Sequence, residues 1–178
     1  WLIVKFKVDR LPDVHIVDRY LETVKKLDIQ NDGKGLDYFI PKSDKLDVNQ
    51  RFGIQGNYIA FAIGAAHATK RLPTDKIIEI CSQLTSPTLL LGGPAEQAIG
   101  EEIAARSSQH IIDTCGRLSI HGSASVIRQA QIVITHDTGM MHVAAAFQKR
   151  IISIWGNTIP EFGMYPYYGD APSQNTSM

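Results

Sequence analysis

The 178-residue sequence predicts an α/β protein with a doubly wound parallel sheet, and two observations carry that reading. Five short apolar runs recur: YIAFAI (58–63), TLLLGG (88–93), HIIDTCG (110–116), IVIT (132–135) and IISIWG (151–156). They are continuous rather than alternating, as strands are when helices cover both faces of a parallel sheet. Helical patterns fill the gaps between the runs, so strand and helix alternate four times.

The helices can be justified in order. In TDKIIEICSQL (74–84) the apolar positions Ile77, Ile78, Cys81 and Leu84 fall on one face, with Pro73 at the start, where proline is tolerated. PAEQAIGEEIAARS (94–107) offers Ile99 and Ile103. SIHGSASVIRQA (119–130) has Ser119 as N-cap and Ile120, Ala124 and Ile127 as its buried stripe. TGMMHVAAAF (138–147) is rich in small residues that permit close packing on a sheet.

The flanks read differently. Residues 1–56 form a linker carrying one amphipathic helix in VHIVDRYLETVKKL (14–27), with Val17, Leu21 and Val24 on one side. KSDKLDVNQRFGIQGN (42–57) reads as loop. Residues 169–178 read as a tail without apolar period, expected to fray or end in a loop. The chain starts at Trp1 rather than methionine, which suggests a piece of a longer protein.

Composition sets outer limits. Lysine plus arginine balances aspartate plus glutamate at 18 each, so no basic excess favours nucleic acid. Cys81 and Cys115 lack metal-ligand spacing and read as free thiols of a reducing compartment. No apolar run is long enough to span a bilayer. His15, His110 and His121 lack mutual metal spacing and read as surface or packing residues.

Open parallel sheets bind ligands beyond the carboxyl ends of their strands. The loops there carry GAAHATKR (64–71), GGPAE (92–96), CGRLS (115–119), HDTGMMH (136–142) and GNTIP (156–160), which gathers the polar residues on one rim. HDTGMMH is the sharpest of them. A helix beginning near Thr138 would present free N–H groups to an anion, and Gly139 would let phosphate approach the backbone. His142 lies one turn after Thr138 on the same face. Asp137 would repel phosphate, so it either caps the helix or binds a sugar hydroxyl. The plainer alternative is a capping aspartate, a helix-start glycine and a packed histidine. His136 points away from Asp137 if the strand continues, and no role is assigned to it.

Lys70 and Arg71 read alone as a solvated face, and beside HDTG as a diphosphate clamp. As an exposed rim lysine, Lys70 would contribute little to stability. Glu96 either complements a helix dipole or accepts ribose hydroxyls.

These residues resemble a known family. ITHDTGMMHVAAAFQKRIISIWGNTIPEFGMYPY (134–167) resembles the signature of the lipopolysaccharide heptosyltransferases, glycosyltransferase family 9. GAAHATKRLP (64–73), LLGGPAE (90–96) and GRLSIHGSASVIRQAQIVITHDTG (116–139) are similar to its other motifs, in the same order. The resemblance spans roughly residues 57–168. It implies a GT-B enzyme whose C-terminal Rossmann-like half, the donor-binding domain, is the part seen here.

By the same resemblance, Asp137, Thr138, Gly139 and His142 would hold the phosphates and sugar of an ADP-heptose-like nucleotide-diphosphate sugar. Lys70 would neutralise the diphosphate, Glu96 grip the ribose and Leu118 pack on adenine, with no metal or cofactor. The activity implied is inverting sugar transfer to a lipid-linked glycan in lipopolysaccharide or surface-glycan synthesis. The location implied is cytoplasmic, peripheral on the inner membrane of a Gram-negative bacterium. The catalytic base and acceptor pocket would belong to an N-terminal domain, so these residues alone would bind without turnover. A GT-B nucleotide-sugar epimerase and a non-catalytic nucleotide-binding module are the alternatives. Three positions depart from the family pattern: Ala65 and Ala66 replace hydroxyl residues and Met140 a common proline.

Overall fold

The computed structural model describes residues 5–6 and 14–178; most of the first thirteen positions of the expected linker lie outside the described residues. Six parallel strands form one sheet: β1 (Ile59–Ala62), β2 (Thr88–Leu91), β3 (Ile111–Asp113), β4 (Ile132–His136), β5 (Arg150–Ile154) and β6 (Asn175–Ser177). Their spatial order is β3-β2-β1-β4-β5-β6. The chain reverses direction across the sheet between β1 and β4, and a crevice opens at such a switch point.

The central strands β1, β2 and β4 are largely apolar because both faces are covered. On one face Ile59, Phe61 and Ile63 pack with Leu90 and Ile134. They meet Ile77, Ile78 and Cys81 of α3 (Thr74–Gln83) and Ile103 of α4 (Gln97–Arg106). On the other face Ala60 and Ala62 join Leu89, Leu91 and Val133. Here they meet Ala124 and Ile127 of α5 (Ile120–Gln129) and Met141, Ala144 and Ala145 of α6 (Gly139–Ala146). The alanines let these two helices approach closely. Burial pushes the Cys81 thiol up to about 11, so it behaves as a small apolar packer. Both cysteines are free and buried.

All five expected strands and the four helices between them form. Ser119 caps α5, its hydroxyl accepting from Gly122 N–H at 3.0 Å. Ile120, however, is 59% exposed and lines a cleft instead of completing a buried stripe.

The flanks correct the sequence reading in three places. The helix expected over 14–27 is α1 (Ile16–Glu22), followed by a 3₁₀ turn at Lys25–Leu27. The stretch read as loop contains α2 (Val48–Phe52), capped by Asp47 through Gln50 N–H and closed by Gly53 at φ 69°. Asp47 and Gly53 are legible start and stop signals, and Val48 buries the helix in the core. The tail expected to fray supplies β6, paired with β5 from Ile151↔Asn175 to Ser153↔Ser177. Backbone pairing and polar contacts of Ser153 with Asn175 and Ser177 carry that strand, which is why no apolar period announced it.

The N-terminal segment is bound to the body. His15 caps α1 with its ring Nδ1 accepting from Val17 N–H, while Nε2 meets the Tyr165 carbonyl at 2.7 Å. The ring lies between Tyr165 and Tyr167, and Ile16 N–H donates to Gly163 O at 2.8 Å.

Two phenylalanines separate core from surface. Phe61→Ala is expected to cost about 3–5 kcal/mol, the range for emptying a buried aromatic site. Phe39→Ala, at a residue 83% exposed, should stay within about 0.5 kcal/mol. Urea unfolding of the two variants checks the contrast, and equal midpoints would contradict this core assignment.

Candidate functional site

The switch point between β1 and β4 opens into a cleft of about 470 Å³. Its apolar wall is Ala65 and Ala66 after β1, Leu118 and Ile120 at the start of α5, and Met140 of α6. Its polar features are Arg71, Glu96, Ser123 and the Thr138–Gly139 corner.

The corner belongs to α6. Its N-cap position is Thr138, whose backbone is extended, and no side chain caps the helix. The first N–H groups of α6 therefore keep their capacity for an external acceptor, and the helix dipole favours an anion there. A Cβ on Gly139 would meet nothing within 4 Å, so the glycine leaves open space in front of those donors.

Asp137 is not the cap. Its carboxylate Oδ2 ion-pairs with Lys70 Nζ at 2.6 Å and accepts the Thr158 hydroxyl at 2.8 Å. Asp137 is 6% exposed at its side chain and Lys70 21%, so this is a largely buried pair. The expectation of a solvated rim lysine is corrected accordingly. The same contact explains how an aspartate can stand next to an open helix N-terminus: a cation and a hydroxyl already meet its charge.

Glu96 is also buried. It ends the 3₁₀ turn Pro94–Glu96 before α4, and its Oε2 turns back to accept Gly93 N–H at 2.9 Å. Its Oε1 lies 3.3 Å from Arg71 Nη2, while Arg71 Nε donates to Ala65 O at 2.6 Å. The Lys70–Arg71 pair thus divides: Lys70 turns to Asp137, Arg71 to Glu96.

The seven residues singled out from sequence fall into two adjoining groups. Glu96, Leu118, Thr138 and Gly139 line the cleft. Lys70 and Asp137 form the pair beside it, and His142 lies within electrostatic reach of both. Burial lowers the His142 pKa, with the His15 and Lys70 charges adding to the effect and Asp137 opposing it. Sequence reading gives Thr158 no partner, expects Ile120 in a buried stripe and not at the cleft, and reads Arg71 as half of a diphosphate clamp and not as the partner of Glu96. The GNTIP loop flagged Thr158 as a rim residue, but its partner 21 positions away was not legible.

The same fold recurs in known proteins. The family model of Glycosyltransferase family 9 (heptosyltransferase) matches residues 1–172. The chain belongs to that family. It is 27% identical over 112 residues to Lipooligosaccharide heptosyltransferase 2 of Haemophilus influenzae, covering 58% of this chain and 32% of that protein. It is similar to the crystal structure of the glycosyl transferase family 9 from Veillonella parvula, with a TM-score of 0.79 and 22% identity. That match covers 96% of this chain and 51% of the other. The E. coli heptosyltransferase WaaC with ADP gives a TM-score of 0.66 at 22% identity, over 93% of this chain and 50% of that one. The chain spans about a third of the length of the curated relatives it matches. Among the described residues, no helix is long and apolar enough to cross a membrane.

Two predictions arise from the buried charges. Lys70→Ala should destabilise the fold by about 1–3 kcal/mol, because it strips a buried carboxylate of its main partner. In an Asp137→Asn background the same change should cost clearly less, since the charge needing a partner is gone. Additive costs in chemical denaturation would show that the pair is not coupled.

The second prediction concerns pH. His15, His136 and His142 are each held below their ordinary value of 6.5, burial being the largest cause. As pH falls through 6.5 the unfolded chain therefore binds protons first. Stability is complete above that value and is lost as pH falls toward the folded values. The urea midpoint should drop between about pH 7 and pH 5, and a flat profile would count against three rings held neutral.

Proposed function

We propose that this chain is the donor-binding part of an inverting glycosyltransferase, of the heptosyltransferase kind, and that its cleft takes the nucleoside diphosphate of an ADP-heptose-like sugar donor. Residues 57–168 are read as the binding unit, with 1–56 as linker and packing helix and 169–178 as an extension. One observation carries the proposal: the uncapped N-terminus of α6, with open space at Gly139, lies at the sheet's switch point. Family membership supports it, as does the ADP that accompanies WaaC in its solved structure.

In this reading the diphosphate rests on the N–H groups of α6, with Thr138 donating its hydroxyl. Lys70 keeps its bond to Asp137 and turns its remaining N–H donors to phosphate oxygens. His142 joins from the next turn, neutral because of its burial. Glu96 has acceptor capacity left for ribose hydroxyls, and Leu118 with Ile120 offers an apolar face to the base.

The chemistry assigned to the whole enzyme follows from that arrangement. An acceptor hydroxyl attacks the anomeric carbon from the face opposite the diphosphate, a base takes its proton, and the bond to the diphosphate breaks. Charge then grows on the departing phosphate, where the α6 dipole and Lys70 stabilise it. The base and the lipid-linked glycan acceptor are placed in the part of the family's length that this chain does not span. By the same reading the enzyme serves lipopolysaccharide synthesis at the cytoplasmic face of the inner membrane.

ADP at about 100 times its dissociation constant should stabilise the fold by about 2.7 kcal/mol, a visible shift in a melting curve. Gly139→Val should abolish the shift without unfolding the chain, because the added side chain enters open space and obstructs the helix N–H groups. His142→Ala should weaken it, and Lys70→Ala should reduce ADP affinity by about 1.5–3 kcal/mol. The proposal fails if millimolar ADP and ADP-sugars leave both the melting curve and the amide signals of residues 137–142 unmoved.

A further inference from the structure

We propose that His136 is a positioning residue, holding the Lys70–Leu72 stretch against the end of β4 so that Lys70 and Arg71 face a bound nucleoside diphosphate. The ligand in this statement rests on the donor-site reading above; the contact itself does not.

His136 is the last residue of β4 and is fully buried. Its Nε2 accepts the Leu72 backbone N–H at 3.0 Å. On the other side of the same stretch, Asn157 N–H donates to Thr69 O at 3.1 Å. Gly156 makes that approach possible, since a Cβ there would stand 2.3 Å from Thr69 O. The loop after β1 is thus pinned at Thr69 from the β5 side and at Leu72 from the β4 side. Lys70 and Arg71, the two cations of the site, are the two residues between the pins.

A ring nitrogen accepts a hydrogen bond only when it carries no proton, so the pin requires a neutral imidazole with its proton on Nδ1. That Nδ1 is buried without a hydrogen-bond partner among the described residues. Burial disfavours the imidazolium most, and the Arg71 charge adds to this, while backbone groups of Gly64 and Ala62 oppose it without prevailing. Arg71 is the charge that acts on the ring among the described residues; Asp137, next in the chain, is met by Lys70 at 2.6 Å. Protonation would set a ring N–H against the Leu72 N–H and release the pin.

The experiment compares the 178-residue chain with His136→Gln, whose side-chain carbonyl accepts but does not titrate, and with His136→Leu, which fills space but cannot accept. ADP affinity is measured by titration, and protection of the Leu72 amide by hydrogen exchange without ligand. At about pH 8, His136→Leu should bind ADP about tenfold more weakly, and His136→Gln should restore most of the affinity. Between about pH 8 and pH 5, Leu72 protection should fall in the parent but not in His136→Gln. Parent-like ADP affinity and Leu72 protection in His136→Leu would overturn the proposal. If the leucine variant does not fold, the glutamine variant decides: an equal acid loss of Leu72 protection in it and the parent overturns the pin, and a loss confined to the parent supports it. Failure of the parent to bind ADP would count against the donor-site reading alone, with Leu72 protection still deciding the role of His136.

Discussion

The Asp137 carboxylate takes an ion pair from Lys70 and a hydrogen bond from Thr158, and those three residues come from the loops after β4, β1 and β5. Parallel strands are not joined by tight hairpins, so nothing local fixes how their carboxyl-end loops sit against one another. A largely buried charge supplies the constraint. Once Asp137 is withdrawn from water it must be met, and only residues of the neighbouring loops are within reach. The energetic penalty of leaving it unmet ties three loops into one rim, and the cleft lies beside them.

The same logic explains how a chain with balanced charge can present a helix N-terminus suited to an anion. Asp137 and Glu96 are each engaged by a loop cation, Lys70 and Arg71 respectively, so the carboxylates do not project uncompensated charge into the cleft. The favourable potential comes from the uncapped end of α6 and from the unused donors of the two cations. Sequence net charge could not report this, because it sums charges whose pairing depends on folding. Lys70 illustrates the difference. As an isolated surface lysine it would matter little to stability, but opposite a buried carboxylate it becomes part of the fold.

The legible part of the protein was the part governed by short-range pattern. Continuous apolar runs announced β1 to β5, because a strand covered on both faces buries most of its residues whichever way they point. Ser119 announced its helix by a contact three residues away. The Asp47–Gly53 helix was equally local and could have been read from its cap signals. What stayed hidden depends on distance along the chain. Lys70 and Asp137 stand 67 positions apart, and His136 and Leu72 stand 64 apart. A sequence can show that such residues share a rim but not which pairs meet. β6 was hidden for another reason: Asn175, Thr176 and Ser177 carry no apolar signal, and backbone pairing with polar contacts from Ser153 holds them on the edge.

The departures from the family pattern gain meaning from where they lie. Ala65, Ala66 and Met140 all line the cleft. Alanines in place of hydroxyl residues remove two side-chain donors that could have met phosphate or sugar. Their loop still approaches the cleft, held by the Arg71 bond to the Ala65 carbonyl. The polar groups left at the cleft are the α6 backbone, Thr138, Ser123 and the Arg71–Glu96 pair. Backbone N–H groups recognise phosphate without regard to the sugar or base attached to it. In the proposed donor-site reading, discrimination between donors falls on Glu96 at the ribose and on the contour of Leu118, Ile120 and Met140 at the base. On that reading, a cleft so divided would hold the diphosphate with what the fold provides and select the rest of the donor with a few replaceable side chains. That is how one scaffold can keep its phosphate corner while its nucleotide and sugar preference changes.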